Sequence, residues 1–213
     1  MKKIFIILLT ILFIKVNAQN QQNEKVIGIQ TGISWTGILF NNLTLDKLKL
    51  DYKGINLSAE SFDANSSAAL GVSFDFGISN MISIGGLYAR QPISGEIGSY
   101  SWVNLKGENK TETIQFNAVR NNITILPKIH YNLNNDKIDL YSGLRVGYTF
   151  WNVDFIANDP NFNVFEKIIP RGRPSIGIIP IALRYYITDN LGVNVEPALG
   201  APYVASIGAQ YRF

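Results

Sequence analysis

The stretch that decides the fold is Ser206-Ile207-Gly208-Ala209-Gln210-Tyr211-Arg212-Phe213. Ile207, Ala209, Tyr211 and Phe213 alternate with Ser206, Gly208, Gln210 and Arg212. Successive side chains of a β-strand point to opposite faces, so this spells a strand with one apolar side and one small, polar side. Tyr203 and Ala205 extend the apolar parity backwards, and Gly200-Ala201-Pro202 reads as the link that precedes it.

The same pattern recurs upstream. Val26–Trp35 sets Ile27, Ile29, Ile33 and Trp35 against Gly28, Gln30, Gly32 and Ser34. Ala68–Ile78 sets Leu70, Val72, Phe74, Phe76 and Ile78 against Ala69, Gly71, Ser73, Asp75 and Gly77. Ile82–Gln91, Ile123–Leu133, Ile138–Phe150, Ile179–Ile187 and Leu191–Leu199 follow suit. With the final strand that makes about eight, none interrupted by a helical period.

Their connections alternate in length. Residues 79–81, 134–136 and 188–190 read as tight turns, rich in the Asn, Asp, Ser and Thr that turns favour. Residues 36–67, 92–115 and 151–174 read as long polar loops, with 200–202 short. A soluble domain rarely carries three structureless loops of about twenty residues or more, whereas membrane barrels combine short turns at one end with long loops at the other. An even strand count places both ends of the barrel segment on the side of the turns. The expected architecture is all-β: a closed antiparallel transmembrane β-barrel of about eight strands in an up-and-down meander.

The alternation alone also fits a soluble lipocalin-like barrel with its apolar face inward. The residues separate the two. The polar face carries many Gly, Ser and Ala beside Asp75, Lys128, His130, Asp139, Arg145, Arg184, Glu196 and Arg212. Small residues mixed with charges of both signs suit a narrow lumen, in which ions must be paired. A water-facing surface would hold more Lys and Glu and far fewer Gly. On the apolar face Trp35, Tyr131, Tyr148, Phe150, Tyr185, Tyr203, Tyr211 and Phe213 fall near strand ends, as interfacial aromatic girdles do.

The N-terminus reads as an export signal over residues 1–18. Lys2-Lys3 precede an apolar run from Ile4 to Ile14, and Val16-Asn17-Ala18 offers a small-residue cleavage site. The run is well short of the ~20 residues of a spanning helix. A polar leader, residues 19–25, then gives way to the barrel, residues 26–213. Among the 213 residues there is no cysteine, so disulfides contribute nothing outside the cytoplasm. A net charge of +3, with no basic cluster interleaved with aromatics, argues against nucleic acid.

The pattern Ser206-x-Gly208-x-x-Tyr211-x-Phe213 resembles the assembly signal of outer-membrane proteins, a polar residue and a glycine followed by alternating hydrophobics with a terminal Phe. The resemblance implies that the barrel-assembly machinery reads this strand. The whole chain after the leader is similar to the small OmpA/OmpX-like and PorT-like barrels common in Bacteroidetes. Ile129–Leu133 and Ile179–Leu199 carry that likeness, the latter through P-x-x-L-R-Y-Y-x-x-x-x-L-G from Pro180. It implies a cell outer-membrane address, and lipid and lipopolysaccharide as neighbours.

No catalytic group, cofactor or metal site is expected. His130 stands alone, four residues before a turn and at the wrong end for a rim-located Ser-His-Asp site, so it reads as a hydrogen-bonded lumen residue. Gly85-Gly86 reads as relief of crowding or a bend in a curved strand. Asp75, Arg145, Arg184 and Glu196 are the expected core of a structural ionic network that plugs the lumen, since eight strands leave room for little but side chains. Lys47, Lys49 and Lys53, with Lys167, Arg171 and Arg173, are loop cations open to lipopolysaccharide phosphates, a partner or plain solvation. Trp151, Phe155, Phe162 and Phe165 would pack over the mouth or meet another protein. The expected role is structural or interactive; the alternatives are a narrow porin for small solutes and an accessory barrel of a secretion machine.

Overall fold

The computed structural model describes residues 22–42, 48–52, 55–59, 61–103, 109–131, 133, 135–156 and 172–213. The expected export signal, Lys47, Lys53, Phe162, Phe165, Lys167 and Arg171 lie outside them. The described elements are β1 (Lys25–Ile33), α1 (Trp35–Asn42), β2 (Leu48–Tyr52), β3 (Ile55–Ala59), β4 (Ser61–Ser66), β5 (Ala69–Gly77), β6 (Ile82–Val103), β7 (Asn109–Tyr131), β8 (Ile138–Ile156), β9 (Gly172–Tyr186), β10 (Leu191–Pro197), β11 (Leu199–Gly200) and β12 (Ala205–Arg212).

Eight of these strands form a closed antiparallel ring in the order β1-β5-β6-β7-β8-β9-β10-β12. β12 closes it by pairing with β1 from Val26↔Arg212 to Ile33↔Ala205. Closure leaves the ring without an unpaired edge, as a chain surrounded by lipid requires. Its outer surface is apolar, with Ile176 71 %, Leu70 65 % and Ile29 64 % exposed. A continuous apolar belt of this kind is unstable against water and is the lipid-facing surface of a membrane barrel.

The short connections are built as their sequences dictate. Ser79 Oγ accepts from the Met81 and Ile82 amides, and Thr188 Oγ1 from those of Asn190 and Leu191. These local bonds satisfy turn donors that no strand partner reaches.

The long connections differ from expectation. Residues 92–103 and 109–115 are strand where a loop was expected: β6 and β7 run 22 and 23 residues, about twice the 9–11 that cross a bilayer. β8 continues to Ile156, and β9 starts at Gly172. Beyond Arg90 the polarity of the wall inverts. The inward positions become apolar, and Ile93, Phe116 and Ala118 pack with Ala64 of β4 against Trp151, Val153 and Phe155. Phe116 stacks on Phe62 with centroids 5.9 Å apart. An extension standing in water buries its apolar side inward; the segment in lipid turns it outward.

Residues 36–67 hold a helix and three strands where a loop was expected. Ser34 starts α1: its Oγ accepts from the Gly37 amide at 2.9 Å and its carbonyl from Ile38 at 2.9 Å. The helix is only eight residues long, with Trp35, Ile38, Leu39 and Phe40 as its large apolar residues, too short for a periodicity to announce it. β4 pairs with β6 from Ser61↔Gly98 to Ser66↔Ile93 and widens the outer wall.

Two residues assigned to the lipid face point inward. Ile179 is buried because the β8–β9 register slips between Tyr141↔Ala182 and Gly143↔Ile179, where β9 carries one extra residue around Pro180. Proline is tolerated at such a bulge, and each bulge flips the phase of a strand. Tyr203 belongs to the connection before β12, not to its pleat, and lies fully buried beneath the outer mouth.

Candidate functional site: the lumen and its outer mouth

Regular strands aim every second side chain into the ring, and the lumen is filled by them. From β7, Lys128 Nζ donates to both carboxylate oxygens of Asp75 on β5 at 2.8 Å. Arg184 of β9 donates to the same Asp75 and reaches Asp139 of β8 at 3.4 Å. One level along, Arg145 donates to Glu196 and, at 3.1 Å, to the Tyr203 carbonyl. Tyr141 joins the two levels. Its hydroxyl donates to Glu196 at 2.8 Å, while Lys128 and Arg184 stand 4.8 and 4.7 Å from its ring centroid.

The four expected network residues are thus brought together as two pairs, Arg184 with Asp75 and Arg145 with Glu196. Lys128 and Asp139 were visible on the polar face, yet alternation gives no means of ranking them. Tyr141 was visible too, but a tyrosine on a polar face carries no signal of a bridging role.

His130 lies in the lumen as expected, with an unexpected partner. Its Nδ1 is 2.8 Å from Asp139 Oδ1 and its Nε2 is 2.7 Å from Ser83 Oγ. This is the connectivity of a Ser-His-Asp triad. Ser83, however, is buried within the regular β6–β7 ladder opposite Lys128, and Asp139 also serves Arg184. The Ser83 side chain is only 1 % exposed, held inside the wall and not open to solvent.

The outer mouth is closed by α1 and the segment joining β10 to β12. Ser34 Oγ donates to Gln91 at 2.8 Å, and Asn41 exchanges two bonds with the Ser66 backbone at 2.6 and 3.2 Å. Arg120 of β7 ties both covers down, donating to Thr36 Oγ1 at 2.5 Å and to the Pro202 carbonyl at 2.8 Å. Gly200, at φ +110°, lets the segment turn back onto β9 where an L side chain would be strained.

The residues of the terminal motif split by face. Ser206 is buried and Gly208 pairs with Gln30 and Asn194, whereas Tyr211 and Phe213 are exposed on the lipid side with ring centroids 6.3 Å apart. Of the loop residues, Arg173 is exposed at the start of β9, and Trp151 and Phe155 face inward on β8. Lys49 falls on β2. Among the described residues no group of His, Cys, Asp and Glu is arranged to hold a metal.

Fold and lumen together define a closed transmembrane β-barrel. No protein-family profile matches the chain, and no curated protein sequence matches it. Among solved structures it is similar to the outer membrane protein OprG of Pseudomonas aeruginosa, at 13 % identity and a TM-score of 0.50, covering 92 % of this chain and 99 % of OprG. It is also similar to Ail, the attachment invasion locus protein of Yersinia pestis, at 14 % identity and a TM-score of 0.45, over 91 % of this chain and all, 100 %, of Ail. The outer membrane protease OmpT of Escherichia coli aligns at 12 % identity and 0.39, over 90 % and 94 % of the two chains. At such identities the likeness to OprG is one of fold alone.

Proposed function

We propose that this chain is an outer-membrane barrel with a structural or interaction role, its lumen sealed by the ionic column and its outer extension presented to the surroundings. The observation that carries the reading is the column itself. Asp75, Lys128, Asp139, Arg145, Arg184 and Glu196 come from five strands and meet across the ring. A hydrated ion cannot pass such a layer without parting buried pairs, and breaking one costs about 3–5 kcal/mol.

The rest of the reading concerns delivery and contact. The basic n-region and apolar h-region support export with cleavage before Gln19, which N-terminal sequencing of protein from membranes tests. The terminal Tyr211-x-Phe213 supports recognition by the barrel-assembly machinery. Strand beyond Arg90, about 40 Å of it along β6 at roughly 3.3 Å per residue, supports a partner met outside the membrane.

Planar-bilayer recording of the purified full chain tests the sealed lumen. A quiet baseline without unitary steps is expected. Steady ion-sized openings would overturn the sealed lumen in favour of a narrow porin.

A further inference from the structure

Among the described residues, one buried cation lacks the carboxylate partner that Lys128, Arg145 and Arg184 have. Arg120, only 6 % exposed, meets none among the described residues, and its bonds go to the neutral oxygens of Thr36 and Pro202. A desolvated guanidinium with neutral acceptors alone is left short of compensating charge. It borders a cavity of about 340 Å³ at the outer mouth, and a second cation, Arg173, lines the same cavity, also with no carboxylate among the described residues.

The neutral lining has a fixed polarity. Asn122 Nδ2 donates to Thr149 Oγ1 at 2.7 Å and to Ser175 Oγ at 2.9 Å. Both hydroxyls therefore act as acceptors toward Asn122, which leaves their O–H protons to be donated elsewhere. Thr36 accepts from Arg120 and is placed the same way. Thr36, Thr149 and Ser175 all line the cavity. Two guanidinium groups and three donor hydroxyls converge on one space, and Trp35 and Pro174 form apolar wall beside them. Convergent donors and doubled positive charge select an anion rich in acceptor oxygens, and the volume is in the range of small-molecule sites, larger than a bare oxyanion requires.

We propose that this mouth cavity binds the phosphomonoester of a phosphorylated sugar, with Arg120 and Arg173 on the phosphate oxygens and the three hydroxyls completing the donor set. The sugar is either free in the medium or the head of a phosphorylated glycolipid, and the phosphate chemistry is common to both. The site sits above the ionic column, so it stands or falls independently of whether the lumen conducts.

Calorimetric titration of the full chain in phosphatidylcholine nanodiscs tests it, with glucose 6-phosphate as probe and glucose as the uncharged control. Saturable one-to-one binding of glucose 6-phosphate and none of glucose is expected. Arg173→Gln should weaken it about tenfold or more, the scale of one lost charge-assisted bond, and Arg173→Lys should restore part. Arg173 is exposed, so its variants keep the fold even if Arg120→Gln does not assemble. Absence of saturation at about 10 mM, a concentration that would reveal even millimolar affinity, overturns the proposal. Equal affinity in Arg173→Gln overturns it too. A further arm adds nanodiscs doped with a diphosphorylated lipid A. Loss of glucose 6-phosphate binding there supports the site and assigns it to the glycolipid; unchanged binding supports it for the free sugar.

Discussion

Lys128 grips both oxygens of Asp75 across an intervening strand, at 2.8 Å each. Asp75 lies on β5 and Lys128 on β7, and the strand between them, β6, presents Gly85 opposite Asp75. A Cβ at Gly85 would collide with the Asp75 carboxylate, while one at Gly86 would meet nothing and point into lipid. The two glycines therefore differ: the first makes room for an ion pair, the second does not.

Asp75 answers two cations, Lys128 and Arg184, so its loss and the loss of Lys128 are unequal. Asp75→Asn leaves Lys128 with no carboxylate and should cost about 3–5 kcal/mol, the price of an uncompensated buried charge. Lys128→Met keeps Asp75 paired with Arg184, so no carboxylate is left alone, and it should cost clearly less than Asp75→Asn. Urea unfolding of the two variants in lipid vesicles measures the difference. Equal losses would show that the pair is not organised around Asp75.

The hydrogen-bonded series Ser83–His130–Asp139 has the order of a hydrolytic site without its access. Nucleophilic catalysis requires a reacting carbon within reach of the oxygen and donors aimed at the developing oxyanion. Ser83 is sealed by the barrel wall, and its backbone is committed to the β6–β7 ladder. A fluorophosphonate probe should leave the folded protein unlabelled, as mass spectrometry of the intact chain would read. A Ser83 adduct abolished by His130→Gln would establish an enzyme.

Much of the barrel is legible in the sequence because one physical rule, alternation between lipid and a crowded lumen, acts on every strand that crosses the membrane. Leu70 to Ile78 and Ile207 to Phe213 obey it throughout. It fails where other constraints act. At Pro180 an extra residue shifts the phase and carries Ile179 inside. Beyond Arg90 water replaces lipid, so the apolar residues of β6 and β7 change sides and the strands lose the look of a membrane segment. Ser34 and its short helix give no period to detect. The ionic network was legible by residue type and not by pairing, because partners such as Asp75 and Lys128 come from strands that are not neighbours. Ser83 sits on the polar parity of β6, and only its distance to His130 distinguishes it from other small lumen residues.

The inversion of polarity near Arg90 marks one edge of the lipid-facing belt, and it predicts opposite tolerance for one substitution on one strand. Ile125 and Asn117 both face outward on β7, eight positions apart. Ile125→Arg places a cation near mid-membrane and should cost about 2–4 kcal/mol, whereas Asn117→Arg stands in water and should cost nothing measurable. Urea unfolding in vesicles of fixed chain length reads both. Comparable costs would move the membrane boundary outward past Asn117.

Phe213 separates two accounts of the final strand. In the folded barrel its ring is exposed on the lipid side, near Tyr211 and 6.0 Å from the Lys25 ammonium, and its backbone exchanges hydrogen bonds with Lys25 at 2.9 and 3.2 Å. Phe213→Ala keeps those backbone bonds and removes only an interfacial ring, so the equilibrium stability of refolded protein should fall by no more than about 1–2 kcal/mol, a partly exposed aromatic's worth. If the strand is also an assembly signal, the amount of folded barrel inserted in cells should drop several-fold, far beyond what that stability change accounts for. Tyr185→Ala serves as the matched control, since it removes an exposed girdle ring from β9, outside the final strand. Heat-modifiable mobility on gels, measured in parallel for refolded and cell-derived protein, reads both quantities. A loss in cells no larger than the loss in vitro would reduce Phe213 to a girdle aromatic and leave recognition to the other residues of the strand.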